Sequence, residues 1–137
     1  MITSTQFYKG RDTQYASELT DEIRANSTET LRRANALLNL FYEVNPDAAR
    51  DRGCNSGWRP PGVNASTKNA APKSKHMLGL AIDIGDDDGQ LDKWLMSSSG
   101  KRALTVIGLW MEDPSATPRW SHVQTIPPKS GNRVFLP

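Results

Sequence analysis

Across residues 18–41 the apolar side chains Leu19, Ile23, Leu31, Ala34, Leu37, Leu38 and Phe41 recur at steps of three and four. That spacing lays them along one stripe of α-helix, and such a stripe has to be buried against something. Within it, Asn26-Ser27-Thr28-Glu29 reads as a helix start, with Ser27 or Thr28 as the cap. The sequence therefore predicts a break there, then a second helix over residues 28–43 that stops before Pro46.

A partner surface lies downstream. In residues 80–84, Leu80, Ile82 and Ile84 alternate with Ala81 and Asp83, the two-residue period of a strand with one apolar face. Leu91, Trp94 and Leu95 mark a short helix, and residues 97–108 a further one, capped near Ser99 and stopped by Gly108. "LWME" and "RWSHVQTI" read as two strands joined by a turn through "DPSATP". Residues 1–14 read as irregular and residues 126–137 as an extended tail whose Val134-Phe135-Leu136 packs back on the domain. The Gly-, Pro- and Asn-rich residues 51–73 read as mostly loop, with a short strand around 55–59. A loop this long in a small domain is usually functional or disordered. Trp58-Arg59 followed by Pro60-Pro61 points to function. The expected class is α+β: helices on one face of a small, mainly antiparallel sheet.

With 137 residues the chain fits one domain, expected to be a monomer, with enough length for its own core. The net charge is +2 and the basic residues are scattered, with pairs only at Arg32-Arg33 and Lys101-Arg102. This excludes the dense basic stripe of a nucleic-acid binder. A mild positive balance still favours approach to a polyanionic surface such as a bacterial cell wall. No run approaches the roughly 18 apolar residues of a membrane span, so no membrane insertion is expected. The amino-terminal residues have neither the basic nor the apolar region of a secretory signal. The expectation is synthesis in the cytoplasm. Cys54 is the only cysteine, so no internal disulfide can form.

The chemistry concentrates in "SKHMLGLAIDIG", residues 74–85. Asp83 points away from Ile82 and Ile84, toward a cleft. Ala81 shares its face and leaves room for an ion or ligand. Gly79 lets the backbone turn sharply, so that His76 can fold back over that face. The other histidine of the chain, His122, alternates with Val123 and shares its face with Gln124. Two neutral imidazoles and one carboxylate make a three-ligand site with a position left for water, the catalytic arrangement for zinc. The run Asp86-Asp87-Asp88 lacks the alternating ligands and distal glutamate of a calcium loop, and reads as a solvated turn.

Residues 74–83 resemble the Ser-x-His-x-x-Gly-x-Ala-x-Asp signature of the zinc D-Ala-D-Ala carboxypeptidases, dipeptidases and L-alanoyl-D-glutamate endopeptidases of peptidoglycan, whose fold is shared with the Hedgehog signalling domain. "SGWRPP" is similar to an upstream Ser-x-Tyr-Arg stretch, with Trp58 in place of tyrosine, and "RWSH" to the closing Trp-x-His element. The resemblance covers residues 55–125 in the family's order. It implies that Zn2+ is held by His76, Asp83 and His122, that Arg59 binds substrate, and that Ser74 either binds substrate, orients His76 or caps a turn. It implies a zinc metallopeptidase acting on the stem peptide of peptidoglycan. The tail and the lack of a wall-binding module look most like phage-encoded, endolysin-like members that reach the wall after release. The resemblance leaves open which bond is cut.

One departure stands out. The family's acid/base is a glutamate commonly three residues before the last histidine, and that position here is Arg119, which cannot accept a proton. The nearest acids are Glu112 and Asp113, across the "DPSATP" turn. Glu112 continues its strand and is the expected acid/base, whereas Asp113 beside Pro114 is expected to shape the turn. Trp120 is expected to pack under the last strand. Two alternatives have different chemistry: a non-heme iron oxygenase, which uses the same ligand types but a closely spaced His-x-Asp pair, and a non-catalytic zinc module of the same fold.

Overall fold

A computed structural model describes all 137 residues. The fold is α+β, as the periodicities predict. Its six α-helices are α1 (Ser4–Tyr8), α2 (Arg11–Gln14), α3 (Asp21–Val44), α4 (Pro61–Ser66), α5 (Gln90–Leu95) and α6 (Ser98–Ile107). Its five strands are β1 (Cys54–Ser56), β2 (Ala81–Gly85), β3 (Trp110–Glu112), β4 (Trp120–Gln124) and β5 (Val134–Phe135). They form one sheet in the order β1-β2-β4-β3-β5, antiparallel except for the β3–β5 pair.

Pleating gives the sheet two chemically different faces. Ile82 and Ile84 of β2, Met111 of β3 and Val123 of β4 are fully buried. They join Leu37, Leu38 and Phe41 of α3, Leu91 and Leu95 of α5 and Leu104 of α6 in a single hydrophobic cluster. By alternation the other face carries Asp83, Glu112, His122 and Gln124. The core thus leaves Asp83, Glu112, His122 and Gln124 on one side, with Ser121 the polar exception on the buried face.

The break expected within residues 26–29 does not occur, and α3 runs unbroken for 24 residues from its cap at Thr20, whose hydroxyl accepts from the Ile23 amide. Of the residues read as a helix start, Asn26 and Thr28 have acceptors for their side chains, whereas the buried Ser27 hydroxyl has no partner. The Asn26 side chain donates to the Leu78 carbonyl and Thr30 donates to the Gly79 carbonyl, while the Thr28 hydroxyl donates back to Arg24. A capping pattern in mid-helix is overridden when its side chains have tertiary or back-bonded acceptors.

Residues 1–14 are helical rather than irregular. Thr3 and Gln6 form a capping box on α1, and Phe7 and Tyr8 enter the core. The strand expected at 55–59 is instead β1 at Cys54–Ser56, and α4 interrupts the long loop with Pro61 in its first turn, where the missing N–H costs nothing. The cap of α6 is Ser97, not Ser99, and Gly108 ends it in the left-handed region. Val134 and Phe135 do pack back, as a strand paired with β3, whereas Leu136, beyond the strand, stays exposed.

The Asp86–Asp88 run is not a solvated turn throughout. Asp86 is buried and accepts from the Arg52 guanidinium and from the Leu91 and Asp92 amides, tying β1, β2 and α5 together. Beside it, Asp92 accepts the Ser121 hydroxyl at 2.6 Å behind β4. Burial pushes the Asp92 pKa up to about 6, against the hydrogen bond from Ser121. A carboxyl whose folded pKa lies above its unfolded value near ~3.9 stabilises the fold fully below that value and loses this contribution as pH rises through about 6. Asp92→Asn keeps an acceptor for Ser121 and removes the buried charge. It should raise the melting temperature at pH 8 by about 3–5 °C, corresponding to ~1 kcal/mol, and leave it unchanged at pH 4. Thermal melts of both proteins at the two pH values test this.

Candidate metal centre

The β2–β4 register places Asp83 directly opposite His122, and Ala81 opposite Gln124. On the far side of β4, Trp110 pairs with Gln124 and Met111 with Val123. One further step along that register sets Glu112 beside His122, and its Oε2 lies 3.9 Å from His122 Nδ1. The central strand therefore presents His122 flanked by a carboxylate from each neighbour.

His76 arrives from outside the sheet, on a 3-10 turn spanning Lys75–Leu78. Gly79 ends that turn at φ +72, and a Cβ there would run into Ser27 Oγ and the Ile23 carbonyl of α3. Glycine is required twice over, by the left-handed backbone and by the close approach of helix and turn. The Ser74 hydroxyl caps the turn by accepting from the His76 amide.

Three ligand atoms converge. Asp83 Oδ1 lies 3.2 Å from His76 Nε2 and 2.9 Å from His122 Nδ1, and all three atoms fall within 4.8 Å of one another. A tetrahedral ion with ligands at about 2.0–2.2 Å separates them by about 3.3–3.5 Å, so small side-chain rotations suffice. His76 is 1% exposed and His122 8%.

The outer hydrogen bonds decide what these atoms offer. His76 Nδ1 lies 2.8 Å from the Gly57 carbonyl, and His122 Nε2 lies 3.1 Å from Gln124 Oε1. Both partners are acceptors, so those nitrogens carry the protons. The nitrogens facing Asp83 are then left with lone pairs, pointing at a carboxylate oxygen. Such an arrangement is repulsive until a positive charge enters it. Burial disfavours a charged His122, yet its bonding to Asp83 outweighs this and raises its pKa. Burial likewise opposes the Asp83 carboxylate, but His76 and His122 together hold it below the ordinary carboxylate range. The site favours a cation, and this buried His-Asp-His group can bind a metal ion.

The support for His76 reaches back to Gly57 and Trp58 and, through them, to helix α1, a stretch whose sequence reads as irregular. Trp58 is fully buried, donates its indole N–H to the Met77 carbonyl and packs edge-on against Tyr8. A Cβ on the adjacent Gly57 would collide with Phe7. Helix α1 thus braces the carbonyl that orients His76.

A cleft of about 350 Å³ opens over the trio. Glu112, Arg59 and Ser74 line it, together with Trp120 and the Lys68–Ala71 stretch of the long loop. Trp120 is therefore a cleft wall rather than packing beneath the strand. Arg59 is 8% exposed, its Nη2 donates to Ser74 Oγ at 3.0 Å, and its Nε has no partner. Burial pushes its pKa down, with Asp83 acting oppositely. Ser74 Oγ already accepts from Arg59 and from the His76 amide, so its O–H is free to donate.

Arg119 takes no part. It enters β4 in the left-handed region at φ 74, and its guanidinium reaches out to Asp87 at 3.1 Å with most of the side chain in solvent. Asp113 accepts from the Ser115 amide and caps the short 3-10 turn Pro114–Ala116. The roles of Gly57 and the Lys68–Ala71 loop carry no motif in the sequence. Gln124 does, through its two-residue spacing from His122.

Comparison with protein-family models, curated proteins and solved structures returned no match.

Proposed function

We propose that this protein is a zinc-dependent peptidase that hydrolyses amide bonds in the stem peptide of bacterial peptidoglycan, in the manner of an endolysin-like endopeptidase. The observation that carries this reading is a metal-competent trio sharing one cleft with a carboxylate, Glu112, and a buried guanidinium, Arg59, that has no carboxylate partner. The resemblance of residues 55–125 to the zinc peptidases of peptidoglycan points the same way. Zinc held by His76, Asp83 and His122 would supply Lewis acidity, polarising the scissile carbonyl and bringing the pKa of water toward ~7.

The chain's own groups do the rest. Glu112 lies beside His122 on the cleft side, so it can accept the proton of the attacking water and return it to the departing amine. Arg59 binds a carboxylate or carbonyl of the peptide through paired N–H donors, and the Ser74 hydroxyl adds a third. A buried arginine with no acidic partner is costly in the free protein, and an anionic substrate relieves that cost. Stem peptides bear free carboxylates, which suits this groove. The mild net charge of +2 favours approach to the wall polymer.

Arg59→Gln should raise KM about 10- to 100-fold, the value of a hydrogen bond between charged groups, with a smaller effect on kcat. Its melting temperature should not fall, because the change removes an uncompensated buried charge. Steady-state kinetics on a soluble stem-peptide fragment and a thermal melt check both parts.

The decisive experiment is incubation of the purified, zinc-loaded protein with peptidoglycan, followed by labelling of new amino termini and mass spectrometry of the fragments. New termini confirm the activity, and their identity distinguishes the L-Ala–D-Glu bond from a terminal D-Ala. Zinc retention without cleavage would instead indicate a non-catalytic zinc module. Iron in the purified protein would point to an oxygenase.

A further inference from the structure

The two imidazoles of the trio use different nitrogens, and each choice has a visible cause. His76 is held by a backbone carbonyl, that of Gly57. His122 is held by a side chain, Gln124, two residues along the same strand. Gln124 is 4% exposed and sits between Ala81 of β2 and Trp110 of β3 in the sheet register. Its amide nitrogen donates to the Ile126 carbonyl at 2.9 Å. A carbonyl only accepts, so this bond settles which end of the amide is which. Gln124 Oε1 must face His122 Nε2, and His122 Nε2 must carry a proton.

We propose that Gln124 is a positioning residue that makes His122 a ligand through Nδ1, by holding its Nε2–H and blocking a flip of the ring. The proposal rests on the reading that the trio holds zinc. A half-turn of the His122 ring about Cβ–Cγ exchanges Nδ1 with Cδ2 and Nε2 with Cε1, so it would set ring carbons toward Asp83 and Gln124 and lose both contacts. Outer hydrogen bonds of this kind govern both tautomer and ring orientation in metal sites.

The test uses the intact chain. In long-range 1H–15N spectra of the zinc-loaded protein, His122 should show a metal-bound Nδ1 and a protonated Nε2, while His76 shows the reverse. Gln124→Met, of similar length but without an acceptor, should bind zinc about 10- to 100-fold more weakly in competition with a chromophoric chelator. Its His122 Nε2–H signal should exchange with water at least about tenfold faster, because the amide acceptor that protects it has gone. A His122 bound through Nε2 in the unaltered protein overturns the proposal, and this result does not depend on the variant folding. So does a folded Met variant with unchanged affinity and spectrum, a result that leaves the zinc reading intact. An unaltered protein that binds no zinc defeats both readings together.

Discussion

Asp83→Ala is expected to abolish zinc retention and hydrolysis together. Asp83 is the hub of the trio, since its Oδ1 is the atom that both His76 and His122 approach. Four-ligand zinc sites bind with about 10–16 kcal/mol, or ~3 kcal/mol per ligand, so losing one of three ligands should weaken binding on the order of a hundredfold or more. The fold should tolerate the change. Without the carboxylate, the bonding that raises the His122 pKa is gone, and a neutral buried ring is cheap. Their outer bonds to Gly57 and Gln124 remain. Metal content after dialysis, peptidoglycan cleavage and a thermal melt of the metal-free protein give the three readouts. A variant that keeps stoichiometric zinc would remove Asp83 from the ligand set. Below neutral pH the unaltered protein should also release zinc, because protons compete for the same lone pairs, most strongly at His122, whose pKa is raised.

Glu112→Gln should separate binding from turnover. The substitution is isosteric and leaves His76, Asp83 and His122 untouched, so zinc affinity should change by less than about threefold, while kcat falls about 10²- to 10⁴-fold, the range for loss of a general base. Asp113→Asn is the matched control. Asp113 caps the 3-10 turn after β3, and Asn keeps the acceptor oxygen for the Ser115 amide, so this control should change both stability and rate little. Full activity in Glu112→Gln with zinc bound would rule out Glu112 as the proton carrier. This prediction also bears on Arg119. That residue stands three before His122, but the last residue ahead of the strand is turned outward by its left-handed backbone. The carboxylate proposed as the acid/base comes across the sheet, from β3, instead of along the chain.

How far this could be read in advance differs by element. The β2 and β4 alternations were legible because a pleated strand sorts neighbouring residues to opposite faces whatever it packs against, and Asp83, His122 and Gln124 fall on one side by that rule alone. The continuity of α3 was not legible. Asn26-Ser27-Thr28-Glu29 looks like a helix start until its surroundings are seen, and the acceptors of Asn26 and of the neighbouring Thr30, the carbonyls of Leu78 and Gly79, lie 52 and 49 residues away. Helix α1 was missed for lack of length. Five residues offer little periodicity, and its importance comes from Phe7 meeting Gly57. The buried role of Asp86 was hidden because an acidic run looks solvated unless its cation is known, and Arg52 is 34 residues away.

By itself the sequence determined the kinds of the longer elements, the apolar face of each, the sharp turn at Gly79, and the inventory of groups able to hold a metal or move a proton. Only the tertiary structure decided the register that sets Asp83 opposite His122 and Glu112 beside it, the bracing of His76 through Gly57, and the exclusion of Arg119 from the cleft. Periodicity records the backbone dihedrals and burial of consecutive residues, which neighbours along the chain suffice to specify. Register and bracing are long-range choices, made by whichever arrangement buries the apolar cluster while leaving few polar groups without a partner.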